Sequence, residues 1–256
     1  MRTLFCLPAV LLASVSLHVA QSAEGPPCAP APTNLIAWWK AEGRALDNAG
    51  TNAGILQSGV AFATGKVGQA FSFSGATNSF IEVPDVPALR LTNELTIEFW
   101  VKRLRLTFSS SPYADYLVEK GGDWTGRGVN YGVALHNPSY KYCLHFTFAG
   151  GWRGGGTIAD TNHWHHCAVV ARNGNAHPIF YIDGVRQAVT YSEGASVITL
   201  YPSTRPMHIG AQLDPATGWN YFSQTLVDEL SIYDRALSSA EIEAIYNAGS
   251  AGKCIF

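Results

Sequence analysis

The sequence predicts an all-β protein, an antiparallel two-sheet jelly-roll sandwich closed by one short C-terminal helix. Charged residues make up only 14% of the chain, whereas aromatic residues make up 12% and Gly occurs 25 times, a composition that suits strands joined by tight turns. Short apolar runs bounded by Gly recur from residue 34 onward, and only the tail shows helical periodicity. Many short strands with Gly turns are typical of a sandwich or jelly roll.

The first 33 residues precede the predicted fold. Arg2 is followed by an apolar run over residues 4–19 and by small residues at 20–23, the pattern of a secretory signal peptide over residues 1–23. This run is too short to predict a membrane-spanning helix. Residues 24–33 are Pro-rich and predict an extended leader, and residues 34–256 show no composition break, so one domain is expected there. We therefore expect a secreted protein, extracellular or periplasmic, without membrane insertion.

The charge balance excludes one class of partner. Removal of residues 1–23 takes away one Arg and no acid, which leaves a net charge of −3. No basic field then exists to attract nucleic acid.

Eleven strands are expected in order before the tail, at residues 35–39, 54–57, 70–74, 80–83, 95–101, 116–120, 131–135, 141–148, 164–171, 179–182 and 207–211. Residues 95–101 alternate most clearly between apolar and polar side chains. Asp183 and Gly184 form a hairpin turn signal.

The tail predicts a strand, a turn and the helix. Alternation predicts one strand face made of Leu226, Asp228, Leu230 and Ile232, and the opposite face made of Val227, Glu229, Ser231 and Tyr233. Ser238 lies three residues before Glu241, the spacing of a capping box. An apolar helix stripe follows at Ile242, Ile245 and Tyr246, and Gly249 fits a left-handed C-terminal cap.

Four cysteines remain after the signal peptide. Their even number and the expected export favour disulfides. Cys28 and Cys254 lie at the two ends of the mature chain and meet if the first and last strands are neighbours. Cys143 and Cys167 lie in two successive predicted strands; they either pair across a hairpin or remain buried free thiols.

Several of these segments together carry a family resemblance. Residues 35–39, 65–75, 80–84, 95–101, 164–170, 181–185, 208–211 and 227–238 resemble, in this order, the laminin-G-like, concanavalin A-like jelly-roll domain of secreted bacterial proteins. The resemblance covers residues 34–248. It implies the fold, but not the activity, because this architecture hosts lectins, adhesion modules, glycosidases and lyases.

The resemblance also implies a structural calcium ion. It places an acidic ligand of the last strand at Asp228, a carbonyl ligand at Gly75, and further ligands after the first strand at Glu42 or Asp47. Carboxylates and carbonyls are the oxygens that calcium prefers. The alternative is that Asp228 caps a turn or pairs with Arg235, and that Asp47 belongs to a turn.

Three Trp residues in Gly-rich loops are candidates for ligand binding: Trp124, Trp152 and Trp219. An indole ring can cover the apolar face of a sugar, while Arg127, Arg153 and Tyr221 are expected beside it as polar or aromatic contacts. Alternatively, such Trp residues fold back over the edge of the sandwich. Trp100 and Trp164 lie in strand patterns and are expected in the core.

The sequence patterns that would indicate a catalytic site are weaker than those that indicate a binding site. Glu94 and Glu98 are the nearest approximation to a glycosidase carboxylate pair, and Glu98 is expected on a solvated face. Tyr142, His145 and His208 are the side chains that a lyase site would use. We therefore expect a non-catalytic module that binds a glycan or a glycosylated surface; the alternatives are a polysaccharide-cleaving enzyme, a lyase more than a hydrolase, and an adhesion module with a protein partner.

Overall fold

Two large antiparallel sheets form a sandwich around one apolar core. The computed structural model describes residues 27–106, 114–122, 129–214 and 220–254. The core draws side chains from both sheets, including Phe99 and Val169 from one and Phe146 and Ile209 from the other. The expected all-β sandwich with one short C-terminal helix is confirmed.

The first sheet runs in the order β13-β12-β11-β6-β18-β4-β3, and β1 also pairs with β18. Its strands are β1 (Leu35–Trp39), β3 (Val60–Thr64), β4 (Gln69–Phe73), β6 (Glu94–Arg103), β11 (His165–Arg172), β12 (Ile179–Ile182), β13 (Val185–Gln187) and β18 (Thr225–Tyr233). β18 is therefore central, and it pairs with β6 on one side and with β1 and β4 on the other.

The second sheet runs in the order β14-β10-β9-β8-β7-β15-β5-β2. Its strands are β2 (Ile55–Leu56), β5 (Ile81–Val83), β7 (Ala114–Lys120), β8 (Tyr131–His136), β9 (Leu144–Phe148), β10 (Gly151–Gly155), β14 (Val189–Gly194) and β15 (Met207–Ile209). A separate hairpin consists of β16 (Ala211–Leu213) and β17 (Asn220–Phe222). Strands β3, β10, β13, β14, β16 and β17 were not expected from the sequence.

The expected alternation along the last strand is wrong. A bulge interrupts the pairing of β18 with β6 between Asp228 and Ser231, and Glu229 adopts a φ of 56°. Because the bulge inserts an extra residue, the side-chain pattern changes phase there. Val227, Leu230 and Ile232 consequently all point into the core.

The helix α1 (Ser239–Ala248) covers the outer face of the first sheet. Both hydrogen bonds of the expected capping box are present between Ser238 and Glu241. Tyr246 stacks on Trp100, with ring centroids 5.8 Å apart. Gly249 ends the helix with a positive φ of 54°, but with a ψ of −123° that lies outside the left-handed helical region. In the part of the chain that the structure describes, no helix has the length and apolar character to cross a membrane.

The cover over the first sheet overturns the expectation that Glu98 is solvated. Glu98 is fully buried; its Oε1 lies 2.9 Å from Lys253 Nζ and its Oε2 lies 3.1 Å from His166 Nε2. Lys253 Nζ also lies 3.3 Å from Glu229 Oε2. The C-terminal segment thus inserts a lysine between two buried carboxylates. Trp164 is half-buried rather than in the core, because β11 begins only at His165.

The chain ends are joined as expected. Cys28 and Cys254 form a disulfide, and Ala29 pairs with Lys253 beside it, so residues 27–33 are fixed to the C-terminal segment. Cys143 and Cys167 are buried free thiols, and the hairpin alternative is wrong. Cys167 lies on β11 of the first sheet, whereas Cys143 precedes β9 of the second, so their strands are not partners.

Candidate functional site

The outer face of the second sheet alternates large and small side chains across its strands. In one cross-strand row Tyr116 pairs with Ala134, Ala134 with His145, and His145 with Gly154. Residues directly opposite each other share a sheet face. The small residues therefore leave gaps between the large ones, and the face is indented.

A second row runs beside the first. It places Glu119 opposite Gly132, Gly132 opposite Thr147, Thr147 opposite Trp152, and Trp152 opposite Glu193. A bulge after Tyr116 turns Leu117 and Val118 into the core and lets both Tyr116 and Glu119 point outward.

These rows form the floor of a cavity of about 260 Å³, which we call the aromatic pocket. Six rings line it: Tyr116, His136, Tyr140, His145, Trp152 and Tyr221. The remaining lining residues are Ala114, Thr147, Gly151, Glu193 and Gln212. Mostly aromatic walls with a few polar groups are the usual features of a small-molecule site.

The rings hold one another in place. His136 and His145 are stacked with centroids 5.0 Å apart and an interplanar angle of 8°. Trp152 lies 4.5 Å from His145 and meets Tyr140 edge-on at 5.2 Å. Its indole Nε1 donates a hydrogen bond to Glu193 Oε2 at 3.1 Å. The indole is therefore oriented before any ligand arrives.

The hairpin of β16 and β17 forms the opposite wall. Tyr221 stacks on Tyr116 at 5.7 Å, and Gln212 Nε2 donates to Glu119 Oε1 at 2.7 Å. These two contacts fix the hairpin over β7. The pocket thus lies between this hairpin and strands β9, β10 and β14.

Three buried titratable groups in or beside the pocket are held in their uncharged forms. Burial raises the pKa of Glu119 to about 8, and Asp214 raises it further against the hydrogen bond from Gln212. Burial, together with neighbouring His136, holds the pKa of His145 well below its usual value. Burial and Glu119 raise the pKa of Tyr116. Near neutral pH these groups are a carboxylic acid, a neutral imidazole and a phenol.

Trp152 and Tyr221, two of the predicted ligand-binding residues, both line this pocket. Trp152 lies on β10 rather than in a loop, because the Gly-rich segment 151–155 pairs with both β9 and β14. Arg153 alternates to the other face and is buried, donating hydrogen bonds to the carbonyls of Trp152, Ala176, Glu193 and Ala195. Trp124, Arg127 and Trp219 lie outside the described residues.

The structure does not bring the four predicted calcium ligands to one point. Asp228 Oδ2 accepts hydrogen bonds from the backbone N–H groups of Lys66 and Val67, and Glu42 Oε1 accepts one from Gln69 in the same turn. Gly75 lies at the opposite end of β4 from this turn.

Asp47 is committed elsewhere as a hydrogen-bond acceptor, from Trp38, Ala49 and Asn52. One feature near the turn does suit a cation: Asp228 Oδ1 is buried without a hydrogen-bond partner, and burial raises the pKa of this carboxyl to about 7. Across the described ranges, no group of three or more His, Cys, Asp or Glu side chains is arranged to hold a metal ion. Calcium binding stays a prediction.

The candidate catalytic residues are dispersed. Glu94 pairs with Arg172. Glu98 is enclosed beneath α1, where burial alone would raise the pKa of its carboxyl group. Lys253 and His166 outweigh that effect and hold the pKa of Glu98 at about 2. His145 lies in the aromatic pocket. Tyr142 instead packs against Arg103, and His208 lies on β15, outside the pocket lining.

Sequence reasoning missed Tyr116, His136, Tyr140 and Thr147 as pocket residues. A signal was present in the strands 131–136 and 144–148, where small or polar residues alternate with large apolar ones. Such alternation places His136, His145 and Thr147 on the face turned away from the core. Gln212 and Glu193 carried no comparable signal, because their strands were not recognised.

A sequence model of the concanavalin A-like lectin/glucanases superfamily, of laminin G type, matches residues 74–243. No curated protein matches the chain significantly.

Among solved structures, domain 4 of AbnA, a GH43 extracellular arabinanase from Geobacillus stearothermophilus in complex with arabinotriose, is 23% identical with a TM-score of 0.58. That match covers 82% of this chain and 97% of the other.

Two further similar structures are longer. The binding domain of Paraclostridial Mosquitocidal Protein 1 is 19% identical with a TM-score of 0.60, and the match covers 84% of this chain and 52% of that one. Trypanosoma rangeli sialidase in complex with 2,3-difluoro-KDN is 15% identical with a TM-score of 0.60, covering 88% and 36%. The present chain thus spans about half and about a third of their lengths. At these identities the similarity establishes the fold alone.

Proposed function

Because the chain belongs to the concanavalin A-like lectin/glucanase superfamily, we propose that it is a non-catalytic carbohydrate-binding protein whose site is the aromatic pocket. The observation that carries the proposal is the convergence of six rings around a cavity of about 260 Å³ with polar groups on two sides. This volume lies just below the lower end of about 300 Å³ for small-molecule pockets. It suits one sugar unit of a longer glycan.

The chemistry of the lining matches that of a sugar. The half-buried ring of Trp152 offers an apolar surface to the C–H groups of a pyranose or furanose. Thr147, Gln212 and the exposed carboxylate of Glu193 are donors and acceptors for hydroxyl groups. The proposal also draws support from the arabinotriose that the similar arabinanase domain holds.

The second candidate function is cleavage by a lyase, favoured by one observation: the rings of Tyr116 and His145 lie 6.1 Å apart in the same pocket. Their protonation states oppose it. A lyase base must take a proton near the working pH. Here the pKa of the phenol is raised and that of the imidazole is lowered, and His145 Nε2 already lies 2.8 Å from Thr147 Oγ1. Binding without cleavage is the better-supported function.

Secretion is part of the proposal. The disulfide between Cys28 and Cys254 suits an oxidising compartment. The predicted signal peptide over residues 1–23 would deliver the chain there. A glycosylated surface or an extracellular polysaccharide is then the partner that the protein meets.

The test is retention on a panel of polysaccharides, measured by affinity electrophoresis with assays for new reducing ends and unsaturated ends. We expect retention by the native chain, with neither kind of end appearing. Tyr140→Leu should weaken retention because Tyr140 meets the indole edge-on. Tyr246→Leu is the matched control, since Tyr246 lies on α1 and stacks on Trp100 of the other sheet. Equal retention of both variants would contradict the assignment of the site, and new ends would establish cleavage.

A further inference from the structure

Charge is unevenly distributed around the aromatic pocket. Among its lining residues that the structure describes, Glu193 is the single formal charge, and its carboxylate stands exposed at the rim on β14. Two more carboxyl groups lie behind Gln212. These are Glu119, which accepts the hydrogen bond of Gln212 and is held largely uncharged near neutral pH, and Asp214, whose charge acts on Glu119 and is opposed there by that of Arg205. The exposed carboxylate of Glu193 is therefore the main charge that a ligand meets at the described rim.

Arg103 and Arg153 both bond to the backbone of pocket strands and direct their guanidinium groups inward. Arg103 is buried, and it donates to the carbonyl of His136 at 2.7 Å and to Asp115 at 3.3 Å. Arg153 is buried with its nitrogens on four backbone carbonyls. Neither residue can turn toward a ligand without leaving buried acceptors unpaired.

An anionic sugar would therefore meet no Lys or Arg among the lining residues that the structure describes. A uronic acid carboxylate placed between the rings loses water and faces Glu193, and both effects oppose binding. A neutral sugar meets neither obstacle. Two adjacent hydroxyls can donate to the two oxygens of Glu193, because an ionised carboxylate only accepts hydrogen bonds.

We infer that the aromatic pocket selects uncharged glycans and excludes glycans that carry carboxylate or sulfate groups, with Glu193 as the main determinant at the rim. This inference rests on the proposed function. It adds a substrate class, since carbohydrate binding alone does not distinguish neutral from acidic polysaccharides.

Matched polysaccharide pairs test the inference directly. Each pair has one backbone and differs in charge: methyl-esterified against de-esterified polygalacturonan, and desulfated against sulfated galactan, together with neutral arabinan. We expect a neutral member to bind, and its charged form to bind at least about tenfold more weakly at low salt. The difference should narrow in high salt, because Glu193 is exposed and its field is screened.

The results for these pairs distinguish a failure of the selectivity for neutral glycans from a failure of carbohydrate binding itself. Anionic members that bind as well as their neutral partners would overturn the selectivity and leave carbohydrate binding intact. A panel in which nothing binds would overturn both.

Variants of Glu193 test whether this residue determines the preference for neutral glycans. Glu193→Lys should favour the anionic member by at least about tenfold relative to the native ratio, and Glu193→Gln should give an intermediate ratio. Glu243→Lys is the matched control, because Glu243 is exposed on α1, over the other sheet. If Glu193→Lys leaves the ratio of anionic to neutral affinity unchanged, the assignment of Glu193 is refuted.

Discussion

Replacement of Lys253 by Met would remove the cation that the C-terminal segment places between Glu98 and Glu229. Lys253 Nζ lies 2.9 Å from one carboxylate and 3.3 Å from the other, and all three side chains are buried. Met keeps an unbranched apolar side chain of similar length, so little packing is lost. The change therefore isolates the charge.

The expected loss of stability follows from the two buried carboxyl groups, Glu98 and Glu229, that lose their shared cation. Removing one partner of a buried ion pair typically costs about 3–5 kcal/mol, because the other charge is left uncompensated. Trp38 Nε1 still donates to Glu229 Oε2, and His166 Nε2 remains 3.1 Å from Glu98 Oε2. These contacts favour the lower end of the range. We predict a free energy of unfolding about 3 kcal/mol lower near pH 7.

The pH dependence gives the prediction a second signature. In the native protein the pKa of Glu98 is about 2, so its stabilising effect is present above its unfolded value of about 4.5 and is lost as the pH falls toward 2. Without Lys253, burial raises the pKa of Glu98 instead. The variant should then regain stability relative to the native chain on acidification, by about 1.4 kcal/mol per pH unit between pH 7 and 5.

Urea unfolding of the oxidised protein at several pH values measures both quantities. Lys102→Met is the control, since Lys102 is half-buried on β6 and the described part of the chain gives it no ion pair. A destabilisation below about 1 kcal/mol, or a difference that does not change with pH, would refute the reasoning.

Three further predictions concern the pocket, the chain ends and calcium. The pKa of Glu119 is about 8 in the folded chain and about 4.5 in the unfolded chain, so the native protein should lose stability as the pH rises from about 4.5 to about 8. Glu119→Gln removes this group, and the free energy of unfolding of the variant should therefore change less over the same pH range. Parallel profiles of unfolding free energy against pH for the two proteins would count against this. The double change Cys28→Ser and Cys254→Ser should lower the free energy of unfolding by up to about 5 kcal/mol, as the disulfide closes a separation of 226 residues, and urea midpoints that coincide would contradict it. Millimolar calcium should raise the Tm of the native chain above its value in EGTA but leave that of Asp228→Asn unchanged, and a native Tm that ignores calcium would exclude the site.

The architecture could be predicted because its signals are local. Alternation over residues 95–101 and the capping box at Ser238 each depend on neighbours in sequence. The disulfide between Cys28 and Cys254 could also be predicted, since the two ends of a sandwich chain meet when its first and last strands are neighbours.

The pocket could be predicted only in part. Trp152 was predicted as a ligand-binding residue because it is a Trp in a Gly-rich segment. Its neighbours in the pocket depend on the pairing of β10 with β14, and a Gly-rich sequence gives no strand pattern from which that pairing could be predicted. The burial of Glu98 depends on a lysine 155 positions away, and no local pattern encodes that contact. The change in side-chain alternation at Glu229 could not be predicted either, because the position of a bulge depends on the pairing with the partner strand and not on the local sequence.

The most direct test of the central claim is an NMR titration of the ¹⁵N-labelled full chain with a neutral oligosaccharide, arabinotriose first and then fragments of the polysaccharide best retained. The indole resonance of Trp152 is assigned by its absence in Trp152→Phe. We predict that this resonance shifts on binding, because its N–H bonds to Glu193 at the pocket rim, while those of the buried Trp38 and Trp39 stay in place. Binding that shifts other indole resonances and leaves Trp152 unmoved would contradict the account.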